Sequence, residues 1–362
     1  MSGSRGLYIH VPFCASVCAY CDFYRFRYNE EKAAAWAKEA VFDLNQIQGS
    51  VDTIYIGGGT PSVLSEETLK SLLESVQRFL PVKEFTVECN PESVTPEKIR
   101  LLKENGVNRI SLGAQAFDDG ILGMLGRKHD AAMIRNAVGI CRAEGIGNIS
   151  LDLMYSLPGQ TVQDWKKTLE EAVKTGVPHL SVYSLTVEEG SLFYRQGKTP
   201  SDPDTETAMY DTAITYLEEN GYRQYEVSNF AKDGRESLHN KIYWHYEDFI
   251  GVGPGASGKE NGVRYTNNVS LNDYIKGKRR REEIPLSEED ERFEAVMMGL
   301  RLREGINLAG YREKYGVSLE TRYAGALEKH VKAENLVIED GFLKTTKRGM
   351  FVLHDVLVDF LD

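Results

Sequence analysis

The sequence has no apolar run long enough to cross a membrane. Its longest apolar stretches are a few residues of predicted strand, whereas a transmembrane helix needs about 20 residues. Residues 1–11 also lack the basic segment, the long apolar segment and the small-residue cleavage site of a signal peptide. We therefore expect a protein that does not span the membrane and stays in the cytoplasm or a similarly reducing compartment.

An excess of positive charge is also missing. The chain has 43 Lys+Arg against 54 Asp+Glu, a formal net charge of −11, whereas a general nucleic-acid-binding protein needs a basic surface. Residues 276–281 form one short basic run, but Glu282 and Glu283 follow it directly. We interpret this run as a solvated inter-domain loop and expect no nucleic-acid partner.

Cysteine is scarce, and its distribution excludes a disulfide framework. Only five cysteines occur in 362 residues, and Cys14, Cys18 and Cys21 fall within one stretch of eight residues. In a reducing compartment such a cluster indicates a metal or redox site. Three thiolates on one short loop can bind three irons of a 4Fe–4S cluster and leave the fourth iron open. Zinc remains an alternative that needs a fourth ligand, for which His10 is a candidate.

Short strand-like runs alternate with helical patterns over the first two thirds of the chain. The predicted strands are residues 7–11, 51–56, 84–89, 108–112, 148–154, 179–185 and 223–227. Repeated strand–helix units imply parallel strands joined by right-handed crossovers. The fold class is therefore α/β, with a parallel (β/α) partial barrel.

Residues that could bind a ligand or take part in a reaction lie at or just after the ends of these strands. They are the cysteine loop, residues 57–61, Glu88, Gln115 and Asp152. Loops at the carboxyl ends of parallel barrel strands open on one face and form the active site there. We therefore expect these groups to meet at a single site.

The pattern changes after residue 200, and we divide the chain into residues 1–230, 231–285 and 286–362. The first part is the barrel, and the second is a connecting region. The third is predicted to hold three helices, a hairpin at Asp340-Gly341 and a final helix, a winged-helix-like α/β domain. Residues 288–362 contain 11 Lys+Arg and 15 Asp+Glu, which argues against DNA binding and favours packing or partner docking.

The cysteine motif C-x-x-x-C-x-x-C after the first strand resembles the signature of the radical S-adenosylmethionine superfamily. Residues 8–14 (YIHVPFC), 57–61, 88–91 (ECNP), 111–115 (SLGAQ) and 151–159 (LDLMYSLPG) resemble one branch of it. That branch contains the oxygen-independent coproporphyrinogen oxidases and the HemW haem chaperones. The resemblance extends over nearly the whole chain.

This resemblance implies that S-adenosylmethionine binds the open iron through its amino and carboxylate groups. It places Glu88 in a hydrogen bond with the cofactor and Arg127 in a charged pair with the cofactor carboxylate. The other implied cofactor-binding residues are Tyr8, Gly58, Gly59, Thr60, Gln115, Asp152, Tyr183 and Thr186. Taken singly, residues 57–59 are also compatible with a simple turn, and Arg127 with a surface cation.

Two features separate the members of the branch. The oxidases extend the motif to a fourth cysteine where this chain has Phe23, and they have a long N-terminal segment before the first strand, which is predicted here to begin at residue 7. Residues 239–244 (HNKIYW) match the H-N-x-x-Y-W motif of the HemW-type chaperones. The resemblance implies that His239 contacts haem; the alternative is a capped turn with packed aromatic rings.

The resemblance therefore favours a haem chaperone that passes haem to an acceptor protein, and that needs an electron donor if S-adenosylmethionine is cleaved. The alternative is oxidative decarboxylation of coproporphyrinogen III. A plain interaction module with a structural cluster is a third hypothesis, but it would have no use for an adenosyl pocket.

Overall fold

The computed structural model of the chain describes residues 4–361, so the outermost residues of the first and last predicted domains lie outside it. Most helices begin at a residue whose side chain accepts a backbone N–H of the first turn. Ser65 and Thr95 do so for the helices at Glu66–Ser75 and Pro96–Glu104. The strands are β1 Arg5–Val11, β2 Phe13–Cys14, β3 Phe26–Arg27, β4 Thr53–Gly58, β5 Glu84–Cys89, β6 Arg109–Gln115, β7 Ile149–Tyr155, β8 His179–Ser184, β9 Arg223–Gln224, β10 Asn229–Ala231, β11 Asp248–Val252, β12 Ser257–Glu260, β13 Val263–Thr266, β14 Glu282–Pro285, β15 Ile306–Asn307, β16 Leu336–Glu339 and β17 Phe342–Thr345.

The helices alternate with the strands in the first part of the chain and dominate its last part. Three short 3-10 helices lie at Pro61–Val63, Gln77–Phe79 and Pro91–Ser93. The α-helices are α1 Glu30–Gln46, α2 Glu66–Ser75, α3 Pro96–Glu104, α4 Asp119–Met124, α5 Ala131–Ala143, α6 Val162–Lys174, α7 Leu192–Arg195, α8 Pro203–Glu219, α9 Leu238–Trp244, α10 Leu271–Tyr274, α11 Glu288–Gly299, α12 Leu308–Tyr315, α13 Leu319–Arg322, α14 Ala324–Lys332, α15 Lys347–Phe351 and α16 Leu353–Val358.

The main sheet has the strand order β14-β13-β12-β11-β1-β4-β5-β6-β7-β8-β10-β9. Strands β11, β1 and β4–β8 pair in parallel, and antiparallel strands flank them on both sides. The sheet ends at β14 and β9, so it forms an open, partial barrel. The predicted parallel barrel architecture is confirmed.

Six of the seven predicted strands belong to this parallel set, and the seventh is wrong. Within residues 223–227 only Arg223–Gln224 forms a strand, and it pairs antiparallel with β10 at the sheet edge. Strand β11 was not predicted, although it extends the parallel set beside β1. Its residues alternate weakly and run into a glycine-rich segment, so the sequence pattern does not distinguish them from a loop.

The two faces of the parallel sheet differ in chemistry. Side chains at one set of alternating positions, such as Leu7, Ile9 and Val11, are buried in the main apolar core with the helices. The intervening positions face the barrel interior and include Tyr8 and Tyr55 beside Glu88. A polar interior needs hydrogen-bond partners throughout, and it leaves room for a polar ligand.

The segment 231–285 contributes directly to the barrel. It supplies β11–β14 to the main sheet, and the predicted boundary at residue 230 falls within β10. Helix α9 closes the end of the barrel where the strands begin, because the Glu84 carboxylate accepts the backbone N–H groups of Leu238 and His239 at 3.0 Å each. We call residues 237–244 the barrel floor.

The basic run 276–281 was predicted to be a solvated loop, but part of it packs against α1. The Arg279 guanidinium lies 2.8 Å from Asp43 and 3.1 Å from Glu39, both on α1, and stacks 4.4 Å above the Tyr274 ring. The run therefore fastens α10 to α1. Sequence reasoning missed this because the acidic partners are more than 200 residues away.

The C-terminal part has its own apolar core, which includes Val296, Leu343 and Phe360. Four helices, α11–α14, precede the β16–β17 hairpin instead of the predicted three, and two short helices follow it. The hairpin turns at Asp340-Gly341, where both residues have positive φ, as predicted. No helix within residues 4–361 is long and apolar enough to cross a membrane.

Candidate functional site

The cysteine loop connects β1 to α1 at the carboxyl end of the barrel. Cys14 ends β2, and Cys18 and Cys21 follow before β3. The Ala19 N–H donates to the Leu125 carbonyl at 3.0 Å, and the Ala19 carbonyl accepts from the Phe193 N–H at 2.9 Å. Loops that follow β6 and β8 therefore hold the middle of the cysteine loop in place.

The three thiols line one cavity of about 550 Å³ that extends through the barrel to its floor at Ser237 and Asn240. We call it the thiol cavity. Nine predicted cofactor-binding residues line it as well, although they come from five different strands or strand ends and, for Arg127, from the loop between α4 and α5. They are Gly58, Gly59, Thr60, Glu88, Gln115, Arg127, Asp152, Tyr183 and Thr186.

Arg127 is an interior group of this cavity and not a surface cation. Its Nη2 donates to the Asn90 Oδ1 and to the Gly113 carbonyl, each at 2.7 Å. Its Nη1 lies 3.3 Å from the Cys18 Sγ, while its Nε is buried without a partner. The guanidinium is thus fixed in position and retains an unused donor beside the thiols.

Glu88 is held by two hydrogen bonds on the inner face of β5. Its Oε1 accepts from the Tyr55 hydroxyl at 2.7 Å, and its Oε2 accepts from the Gly58 N–H at 3.0 Å. Burial raises the pKa of Glu88 to about 7, the Tyr55 hydrogen bond opposes that rise, and Asp152 adds to it. The carboxylate therefore titrates near neutral pH.

The glycine run 57–59 allows the Glu88 carboxylate and the cysteine loop to lie close to the backbone of β4. A Cβ on Gly57 would lie 2.8 Å from the Glu88 carboxylate, and one on Gly58, whose φ is +107°, would lie 2.5 Å from the His10 ring. A Cβ on Gly59 would lie 2.5 Å from the Phe13 carbonyl. The run is therefore more than a turn, because any side chain here would displace the carboxylate or the cysteine loop.

Asp152 lies on the inner face of β7 and lines the same cavity. Its two oxygens accept from the Ser111 hydroxyl at 3.0 and 3.1 Å. Burial raises the pKa of Asp152, and the Ser111 and Ser181 hydroxyls oppose that rise. Glu88 and Asp152 thus provide two acceptors on different strands of one cavity.

Two predicted cofactor-binding residues, Tyr8 and His239, do not line the thiol cavity. Both contact Tyr55, whose ring lies 6.1 Å from the Tyr8 ring and 5.2 Å from the His239 ring. Tyr55 itself lines the cavity, and sequence reasoning missed it. The period-two alternation with Thr53 in β4 was the available signal, since both side chains face inward.

His239 is part of the barrel floor. Its Nδ1 is hydrogen-bonded to the Thr53 hydroxyl and its Nε2 to the Tyr243 hydroxyl, both at 2.7 Å, and only 1% of the residue is exposed. Burial lowers the pKa of His239 to about 3, so the ring is neutral. Neither ring nitrogen is available to an iron in this arrangement, which matches the packed-aromatic alternative.

The donor set fits a cluster with three protein ligands. Besides Arg127 at Cys18, the Thr60 hydroxyl lies 3.6 Å from the Cys14 Sγ, and the Arg25 guanidinium donates to the Cys21 carbonyl. The Arg127 and Thr60 donors stabilise the thiolates that they contact. His10 uses both ring nitrogens, accepting from the Tyr8 hydroxyl at 3.0 Å and donating to the Tyr24 carbonyl at 2.7 Å. Among the described residues, no three His, Cys, Asp or Glu side chains are placed to hold a single metal ion.

Comparison with known proteins identifies the family. The model of the radical SAM superfamily matches residues 8–172, and that of the HemN C-terminal domain matches residues 286–352. The haem chaperone HemW of Bacillus subtilis is 36% identical over 97% of this chain and 95% of its own length. The chain belongs to the HemW family of radical S-adenosylmethionine proteins.

Further comparisons agree with this membership. HemW of Lactococcus lactis is 35% identical over 98% of this chain and 96% of its own length. The solved structure of HemN, the coproporphyrinogen III oxidase of Escherichia coli, superposes with a TM-score of 0.85 at 19% identity, covering 99% of this chain and 90% of that one. That likeness confirms the fold. Membership in the superfamily implies a 4Fe–4S cluster and S-adenosylmethionine for this HemW-family chain.

Proposed function

We propose that this protein is a cytoplasmic haem chaperone, which binds haem and transfers it to an acceptor protein. The observation that supports this most is the similarity, over nearly the full length of both chains, to relatives named haem chaperone HemW. A second support is Phe23, which stands where the porphyrinogen-oxidising enzymes extend the cluster motif with a cysteine. Its ring is 63% exposed and lines the thiol cavity.

We also propose that Cys14, Cys18 and Cys21 hold the 4Fe–4S cluster beside an S-adenosylmethionine site. When bound, the cluster supplies an open iron for the cofactor and, with an external electron donor, the electron that would cleave it. Arg127 then offers its unused Nε–H to the cofactor carboxylate, and Glu88 accepts a hydrogen bond from the cofactor amino group.

The remaining cavity residues then bind the rest of the cofactor. The backbone at Gly58, Gly59 and Thr60 surrounds the methionine amino end, and Gln115, Asp152, Tyr183 and Thr186 surround the adenosyl end. Tyr8 acts indirectly, because its hydroxyl holds the His10 ring against Gly58.

We expect cofactor binding to depend on the ionisation of Glu88. Its pKa is about 7, so the carboxylate is mostly protonated near pH 6 and mostly ionised near pH 8. Binding of S-adenosylmethionine to the cluster-loaded protein should therefore strengthen as the pH rises through 7. Glu88→Gln should weaken binding at pH 8 by about 1.5–3 kcal/mol, the value of a charged hydrogen bond, and should abolish the pH dependence. Calorimetric titration at both pH values measures this.

Arg127→Ala is the comparison variant, because a guanidinium is charged at both pH values. It should weaken cofactor binding more strongly than the Glu88 change, and equally at the two pH values. Unchanged affinity in both variants would contradict this assignment of the cofactor site.

The chaperone proposal predicts haem binding without turnover. The purified protein should bind about one equivalent of haem per monomer with a shifted Soret band. Given coproporphyrinogen III, S-adenosylmethionine and a reductant without oxygen, it should form no protoporphyrinogen, because Phe23 cannot act as the missing cysteine. Product analysis by chromatography checks this result. Repeated turnover would instead establish coproporphyrinogen oxidation.

A further inference from the structure

Asn90 contacts both of the side chains that donate to the cysteine thiols. It follows β5 and precedes the 3-10 helix at Pro91–Ser93, a position where an asparagine side chain commonly caps the first turn. Here the side chain lines the thiol cavity instead. Its backbone is fixed on both sides, since its N–H donates to the Ser62 hydroxyl at 3.2 Å and its carbonyl accepts from the Ser93 hydroxyl at 2.7 Å. The amide is therefore held at the cavity wall, where it contacts other elements.

The orientation of the Asn90 amide is set by its neighbours. Its Oδ1 accepts from the Arg127 Nη2 at 2.7 Å, and its Nδ2 donates to the Thr60 hydroxyl and to the Glu92 Oε1, each at 3.3 Å. A guanidinium only donates and a carboxylate only accepts, so the two ends of the amide cannot be exchanged. Glu92 is itself fixed by the buried His129 ring, whose Nδ1 donates to it at 3.0 Å.

This amide directs two hydrogen bonds onto two thiols. The Thr60 oxygen accepts from Asn90, so its single proton is free to point to the Cys14 Sγ, which lies 3.6 Å away. The Arg127 Nη2 is held by the same amide, which leaves Nη1 at 3.3 Å from the Cys18 Sγ. Hydrogen bonds to the sulfur ligands of an iron–sulfur cluster set its reduction potential. They stabilise the reduced state most, because reduction adds negative charge, and so they raise that potential.

We propose that Asn90 is a positioning residue: by holding Thr60 and Arg127 against the thiols, it raises the reduction potential of the cluster. This inference rests on the proposed binding of a 4Fe–4S cluster by the three cysteines. In the step concerned, the cluster gains one electron from an external one-electron donor, and the bonds between the cluster and the protein stay unchanged. Asn90 therefore acts on the ease of this electron transfer through two other side chains.

The test measures the midpoint potential of the reconstituted cluster in Asn90→Leu and in the unaltered protein, without S-adenosylmethionine. Leucine has a similar shape but neither donates nor accepts a hydrogen bond. The variant should keep about four irons per monomer. Its ratio of reduced to oxidised cluster at a fixed potential should fall about three- to tenfold, as expected for lost hydrogen bonds, which is a negative shift of about 30–60 mV for a one-electron couple. Redox titration followed by electron paramagnetic resonance measures it.

Thr60→Val tests whether the effect passes through the positioned donors. It removes the hydroxyl that faces Cys14 and should itself lower the potential. Adding Asn90→Leu to Thr60→Val should then shift the potential by less than Asn90→Leu does alone, because one of the two donors is already absent. An undiminished second shift would overturn the action of Asn90 through Thr60.

Asn108→Leu is the matched control, since the Asn108 amide also makes two hydrogen bonds, to the Phe85 N–H and the Lys83 carbonyl, at the opposite end of β5. It should leave the potential unchanged. Asn90→Ala, which removes the amide without adding a bulky apolar group, replaces Asn90→Leu if leucine lowers the iron content.

An unchanged potential at full iron content would overturn the positioning role of Asn90 while leaving the cluster assignment in place, even if S-adenosylmethionine bound more weakly through a lost direct contact. Loss of the cluster from both Asn90 variants would indicate a structural role and would also overturn the proposal. Absence of iron from the unaltered protein after reconstitution would overturn the proposed cluster itself.

Discussion

Replacing Cys14, Cys18 and Cys21 together by alanine should reduce the iron content of the anaerobically reconstituted protein from about four atoms per monomer to none. The three thiols are the cysteine donors of one loop at the mouth of the thiol cavity. Without them the neighbouring Arg127 and Thr60 can donate hydrogen bonds but cannot bind iron. Iron analysis and the loss of the broad thiolate-to-iron absorbance measure the effect.

Cys141→Ala is the control for this experiment. Cys141 lies on α5 with 0% exposure and belongs to the main apolar core, so it behaves as a small hydrophobic residue. Its loss should leave the iron content unchanged. A full cluster in the triple variant would refute the assignment of the ligands.

His239→Ala should lower the free energy of unfolding by about 2–4 kcal/mol, the range for opening a buried cavity and leaving polar groups without partners. The imidazole bridges Thr53 and Tyr243 and stacks on Tyr55. Both hydroxyls would lose their partner when it is removed. Urea denaturation of the variant and the unaltered protein measures the difference.

His245→Ala is the matched control next to the barrel floor, because His245 is exposed and its side chain pairs, among residues 4–361, only with Glu304. Its effect should remain within about 0.5 kcal/mol, as for most surface substitutions. With haem bound, His239→Ala should keep the Soret band of the unaltered protein. A displaced Soret band together with unchanged stability would instead support the haem contact that the H-N-x-x-Y-W motif suggests.

The Asp340-Gly341 hairpin and the barrel floor together show why local sequence patterns predicted some features and not others. The Asp340-Gly341 hairpin follows from two residues that tolerate positive φ, so its neighbours in sequence are sufficient to predict it. The barrel floor depends on Glu84 and Thr53, which lie more than 150 residues before His239. Nothing in the motif HNKIYW indicates those partners, and its aromatic rings suit a ligand surface and a packed core equally well.

The basic run and strand β11 illustrate the same limit. Arg279 was expected in solvent because its sequence neighbours are charged, whereas its partners Glu39 and Asp43 lie on α1. Residues 248–252 form a strand because β1 offers a free parallel edge. Pairing of this kind is a tertiary effect that overrides a weak local pattern.

The sequence by itself determined the cysteine loop, the strands that precede each polar group and the edge of the barrel at which those groups meet. These features depend on short-range periodicity and on the single direction of parallel strands. Only the tertiary structure decided which side chains enter the thiol cavity: it brought Tyr55 and the buried Arg127 in, and it placed Tyr8 and His239 behind them. The physical reason is that strand alternation decides which face of the sheet a side chain lies on. Its contacts depend on how strands that are distant in sequence assemble around the barrel interior.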